Sequence, residues 1–98
     1  MSYRLIVRPE AETEINDAYI RYEKDVSGLG VQFLDAVDDG FKLISESPLH
    51  YAIIVGGIRR KLLGKFPYGL FFIFEEGEVR VLSVLQQARN PALWARGK

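Results

Sequence analysis

The chain has 98 residues, 48% of them hydrophobic and 27% charged, with no cysteine, one histidine and zero net charge. That is one domain's worth of chain, and the balance of apolar and charged residues excludes the disordered and fibrous classes. Without thiols and with a single imidazole, disulfide frameworks, thiol catalysis and the usual zinc sites drop out, so neither a metal nor another cofactor is expected.

The longest apolar run, Leu70 to Phe74, falls far short of a membrane span, and the N-terminus has no apolar run of signal-peptide type. A single domain over residues 1–98, cytoplasmic and with no membrane partner, is therefore expected. The zero net charge hides a split: residues 1–51 carry five Lys/Arg and ten Asp/Glu, a net of −5, whereas residues 52–98 carry eight and three, a net of +5. Such asymmetry steers association with oppositely charged surfaces and directs attention to the basic half. The acidic half is equally explained by two helices coated for solvent.

Tyr3 to Arg8 alternates, with Tyr3, Leu5 and Val7 on one side and Arg4, Ile6 and Arg8 on the other, as in a strand. Pro9 suits a first helical turn, and Glu10, Glu12 and Glu14 suit the positive end of the helix dipole. Ala11, Ile15, Ala18, Tyr19 and Tyr22 then recur at helical spacing and form one apolar stripe. Ser27-Gly28-Leu29-Gly30 breaks this helix, and a second follows with Phe33, Leu34, Val37, Phe41 and Ile44 on its stripe, ending at Ser47-Pro48. The pair predicts a helical hairpin that needs an apolar surface to cover.

Tyr51 to Gly57 reads as a loop. Ile58 to Leu63 reads as a strand, 64–68 as a turn, Gly69 to Glu75 as a second strand, and Glu76-Gly77 as a tight connection into a third strand, Glu78 to Gln86. Phe71 to Phe74 is apolar without alternation, which predicts a central strand covered on both sides. Asn90-Pro91 ends the sheet, and Ala92 to Arg96 is a tail that Trp94 is expected to anchor, an exposed tryptophan being unfavourable on so small a chain. The fold class is thus α+β: an N-terminal strand, an α-helical hairpin and a three-stranded antiparallel meander, with the helices on one sheet face.

Six phrases add to this order: V-R-P-E-A-E-T-E-I from Val7, G-L-G-V-Q-F-L from Gly28, S-P-L-H-Y from Ser47, I-R-R-K-L-L from Ile58, K-F-P-Y-G-L from Lys65, and V-L-S-V-L-Q-Q-A-R-N-P-A-L-W from Val81. Their order and spacing over nearly the whole chain resemble the RelE/ParE toxins of type II toxin–antitoxin systems, most closely the ParE-like, plasmid-stabilisation members. The resemblance implies a growth-inhibiting toxin neutralised by a cognate antitoxin protein. Members either poison DNA gyrase or cleave mRNA on the ribosome, and fold alone does not separate the two.

Metal-free RNA cleavage needs a proton shuttle and clustered cations around the scissile phosphate. Against the ribonuclease-type members, Gly69 stands after Tyr68 where an arginine is usual. Gln86 stands where many carry a histidine, and Trp94 alone matches a C-terminal tyrosine. What remains, Arg59, Arg60, Lys61, Arg80 and Arg89, with Tyr68 and Gln86, is a set of target- or phosphate-binding candidates, and no catalytic residue is assigned.

Strand alternation separates Arg60 from Arg59 and Lys61, and the run serves either for binding or for protecting an edge strand. Arg89 suits a phosphate, an acidic antitoxin side chain or a cap on the chain end. Tyr68, in a turn, is expected to be the more exposed tyrosine, Tyr19 and Tyr22 to be core residues with hydroxyls at the rim, and His50 a surface residue. Glu75, Glu76 and Glu78 form a solvated hairpin. Three functions follow: a gyrase-binding toxin without chemistry of its own, a ribosome-dependent mRNA endonuclease using Arg60, Lys61 and Arg89, and a non-toxic antitoxin-binding domain.

Overall fold

The two apolar helix stripes lie against one side of a five-stranded sheet, in a computed structural model that describes residues 2–87. In chain order the elements are β1 (Arg4–Val7), α1 (Pro9–Asp25), α2 (Leu29–Glu46), a 3-10 turn (Pro48–His50), β2 (Ile53–Val55), β3 (Ile58–Leu62), β4 (Tyr68–Glu75) and β5 (Glu78–Gln86). The strand order is β1-β5-β4-β3-β2, with β1 parallel to β5 and every other pairing antiparallel.

The predicted hairpin and meander are present, but the sheet holds one more strand than expected. Residues 51–57 are not a loop throughout: Ile53–Val55 pairs with β3 as an edge strand. Gly56 and Gly57 both take positive φ, 50° and 80°, the conformation a two-residue hairpin turn demands. A three-residue strand is too short to show periodicity, which is why sequence pattern misses it.

The core lies between the helices and the sheet. Ala11 and Ala18 from α1, and Phe33, Val37 and Ile44 from α2, are buried with Tyr68, Leu70, Phe72, Val79, Val81 and Val84. A smaller cluster, Ile58, Phe71, Leu82 and Leu85, occupies the other side of the sheet. β4 is the middle strand, and Phe71 and Phe72 are 1% and 0% exposed, as its unbroken apolar run predicts. Burying each of these rings contributes about 2–3 kcal/mol. Gly40 on α2 permits the close approach this needs, since a Cβ there would sit 2.6 Å from Leu70 Cδ1.

β5 does not alternate cleanly. Phe71 faces Ser83 while Phe72 faces Val81, so Leu82 is an extra residue in β5, a β-bulge. The bulge resets the alternation: Val79, Val81 and Val84 face the helices, and Leu82 and Leu85 the opposite side.

The hairpin turn is held by a carboxylate. No side chain caps α2 from its own N-cap, Gly28. Instead Glu23, near the end of α1, accepts from the Gly28 N–H (2.8 Å, Oε2) and the Gly30 N–H (2.8 Å, Oε1), groups a helix start leaves without intrahelical partners. Glu23→Ala is expected to lower stability by about 1.5–3 kcal/mol, the range for hydrogen bonds to a charged group. Urea denaturation measures this, and a loss below about 0.5 kcal/mol would mean that water serves these groups equally well.

Candidate functional site

The cations of β3 fall on both sides of the sheet. Arg59 faces Phe72 and Lys61 faces Leu70, both in the helix-side core, whereas Arg60 faces Phe71 on the opposite side. Cross-strand partners share a side, so the expected separation of Arg60 from Arg59 and Lys61 holds. The edge-protection reading of the run is corrected: β3 is not an edge strand, because β2 flanks it.

Arg59 and Lys61 meet at Tyr51. Arg59 Nη1 donates to the Tyr51 carbonyl at 2.6 Å, and the Lys61 ammonium lies 5.5 Å from the ring centroid, a cation–π contact. His50 is exposed, as expected, but its ring stands edge-on to Tyr51 at 5.2 Å and so joins this group. Sequence reasoning set His50 and Tyr51 apart from the cations because the pairing of β2 with β3 brings them together.

Arg60 is tied to Gly69. A Cβ on Gly69 would lie 3.3 Å from Arg60 Cγ and 3.3 Å from Phe71 Cε2. The position where a ribonuclease-type relative would carry an arginine is therefore covered by the stem of Arg60.

Arg80 is engaged elsewhere. It pairs with Glu78 at 3.0 Å, and Glu78 also lies 3.8 Å from Arg4. It borders a groove of about 520 Å³ with Ile6, Arg8, Ile73, Glu75 and Leu82. Arg8 at this rim binds Glu10 at 3.1 Å, which holds the Glu10 carboxyl below its ordinary range and raises the Arg8 guanidinium above its own. Glu78 is half-buried between its two arginines, so the acidic hairpin is only partly the solvated cluster expected; Glu75 and Glu76 are exposed.

Tyr68 is the clearest correction: it is not exposed but 4% accessible, its ring against Phe33 at 5.1 Å. Its turn position concealed that β4 already starts there, pointing the ring at the helices. Its hydroxyl accepts a hydrogen bond from Arg21 Nη2. Tyr68 and Gln86 face each other across β4 and β5 and line a cleft of about 200 Å³ with Glu14, Asp17, Arg21 and Val84. Glu14 accepts the Val84 N–H at 3.0 Å, beside the bulge. Tyr19 and Tyr22 are half-buried, and burial, then Tyr68 nearby, raises the Tyr22 hydroxyl above its ordinary pKa.

Arg89, Asn90, Pro91 and Trp94 lie outside the described residues. Among the described residues, no group of His, Cys, Asp and Glu is placed to hold a metal ion, and no helix is long and apolar enough to cross a membrane. The candidates thus form separate groups: Arg59 and Lys61 at Tyr51, Arg60 on the opposite side, Arg80 in an ion pair, and Tyr68 with Gln86 at the α1 cleft.

No family model matches the sequence, and no curated protein matches it. Among solved structures, a chain from the chromosomal ParDE TA (toxin–antitoxin) system of P. aeruginosa superposes with a TM-score of 0.78 at 16% identity, over 87% of this chain and 96% of that one. At that identity the likeness is one of fold.

The placement of Tyr68 is open to direct test. Tyr68→Phe, which loses only the acceptor for Arg21, is expected to lower stability by about 1 kcal/mol, and Tyr68→Ala by about 3–5 kcal/mol. Similar small losses for both in urea denaturation would show that the ring is not part of the core.

Proposed function

We propose that the chain is the toxin half of a type II toxin–antitoxin pair, held inactive by a cognate antitoxin protein, and that it acts by binding DNA gyrase rather than by chemistry. Two things support the first half: the fold shared with a chain of a ParDE TA system and the sequence phrases that follow the same order. The observation that carries the second half is the division of the cations between the two sides of the sheet, with Gly69 beneath the stem of Arg60. Cleavage of a phosphodiester needs charge stabilisation and proton transfer to converge on one phosphate. Binding a protein target needs only a complementary surface. A gyrase target would place the chain in the cytoplasm.

A second reading, a ribosome-dependent mRNA endonuclease, draws on the fact that none of the ion pairs among the described residues involves Arg59, Arg60 or Lys61. Inducible expression without an antitoxin separates the two. The gyrase reading expects growth arrest with DNA breaks or altered supercoiling and intact transcripts. Transcripts cut at ribosome-bound codons would replace it with the second reading, and unaffected growth would leave only an antitoxin-binding domain. If Arg60→Ala, Lys61→Ala double substitution leaves arrest undiminished, these residues are not part of the target surface.

A further inference from the structure

The side of the sheet turned away from α1 and α2 is drier than the described elements account for. Ile58 is 0%, Phe71 1% and Leu82 4% exposed, and all three belong to the cluster on that side. The buried residues of both helices belong to the other cluster, and the partly buried side chains packed on this one, Ile54, Val55 and Ile73, come from the sheet itself. Neighbours within a sheet shield the flanks of a side chain but not its outer end, because side chains on one side stand roughly perpendicular to the strands. Full burial there requires a further layer. These exposures hold for one isolated chain, so the layer belongs to the chain itself.

A polar group on the same side narrows the chemistry of that layer. Ser83 is the partner of Phe71 across β4 and β5, so its side chain shares the side of Phe71, and it is only 7% exposed. Its hydroxyl makes no hydrogen bond among the described residues, whereas buried hydroxyls ordinarily have a partner. An apolar cover with one polar handle meets both conditions.

Residues 88–98 have that composition. Ala92-Leu93-Trp94-Ala95 is apolar, and Trp94, the one tryptophan, joins a large apolar ring to an N–H donor. The segment also sets out from a suitable place. The Gln87 N–H donates to the Pro67 carbonyl, and Phe71 lies about 13 Å of strand further along from Pro67. From Gln87 the chain reaches Trp94 over a span of up to about 25 Å, enough to return over the sheet after the reversal that Asn90-Pro91 favours.

We propose that residues 88–98 fold back across the side of the sheet opposite α1 and α2, with the Trp94 ring on Phe71 and Leu82 and its indole N–H donating to the Ser83 hydroxyl. Trp94, at the place where ribonuclease-type members carry a tyrosine, thus serves packing and not chemistry. The docking depends on the fold alone and is independent of the toxin reading.

The test is methyl and indole NMR of the full chain, in which the single tryptophan gives one Nε1–H resonance. Nuclear Overhauser contacts are expected from the Trp94 ring to methyls of Ile58, Leu82 or Leu85. Contacts to Val79, Val81 or Val84 instead, or to neither set, would overturn the docking. Contacts that arise only between differently labelled chains would assign the cover to a second copy and overturn it equally. Trp94→Leu, whose own spectrum reports whether it is folded, is expected to shift the Ile58 and Leu82 methyls by loss of the ring current and to leave Val79 and Val84 in place. Ser83→Ala is expected to keep the ring contacts and to speed exchange of the indole proton with water about fivefold, the equivalent of a typical net hydrogen bond. Unchanged exchange would overturn the bond to Ser83.

Discussion

Burial of β4 on both sides is the constraint from which the rest of the architecture follows. Phe71 and Phe72 point to opposite sides of the sheet, and neither is more than 1% exposed, so both sides must be dry at the centre. Flanking strands are then required to either side, which β3 and β5 provide. The helical hairpin closes one side, and Gly40 lets α2 descend onto Leu70. The bulge at Leu82 belongs to the same requirement: it lets β5 present Val81 and Val84 to the helices while Leu82 and Leu85 serve the smaller cluster.

That two-sided core decides how charge is displayed. β3 pairs with β4, and the alternation of β3 must follow it, so the basic run Arg59-Arg60-Lys61 is split between the two sides. A basic run in sequence is therefore not a basic cluster in space. The same pairing sets the Arg60 stem over Gly69 and brings Arg59 and Lys61 to Tyr51.

Electrostatics in the acidic half serve the fold as much as the surface. Glu23 supplies the acceptors that α2's first turn lacks, and Glu14 reaches across to Val84 beside the bulge. Glu10 pairs with Arg8. Two carboxylates that read as a solvent coat or as dipole partners, Glu14 and Glu23, thus accept hydrogen bonds from the backbone of other elements, a role composition does not reveal because it depends on which N–H groups those elements leave unpaired.

Much of the back half was legible from pattern alone. The apolar run of β4, the Glu76-Gly77 turn, and the alternation that separates Arg60 from Arg59 and Lys61 are local properties of the chain, and each survives in the structure. The helix stripes were legible for the same reason: a period near 3.6 over seventeen and eighteen residues leaves a clear signature. What pattern could not supply was anything set by contact between distant segments. β2 is too short for periodicity, Tyr68 looked like a turn residue until β4 turned its ring toward the helices, and His50 and Tyr51 joined Arg59 and Lys61 only through the pairing of β2 with β3. Sequence by itself determined the two helices, the longer strands and the sidedness of the helix stripes and of β3, because these follow from backbone periodicity. Tertiary structure alone decided which sides meet and which cations lie outside the ion pairs among the described residues, because these depend on strand order and register, which local pattern does not encode.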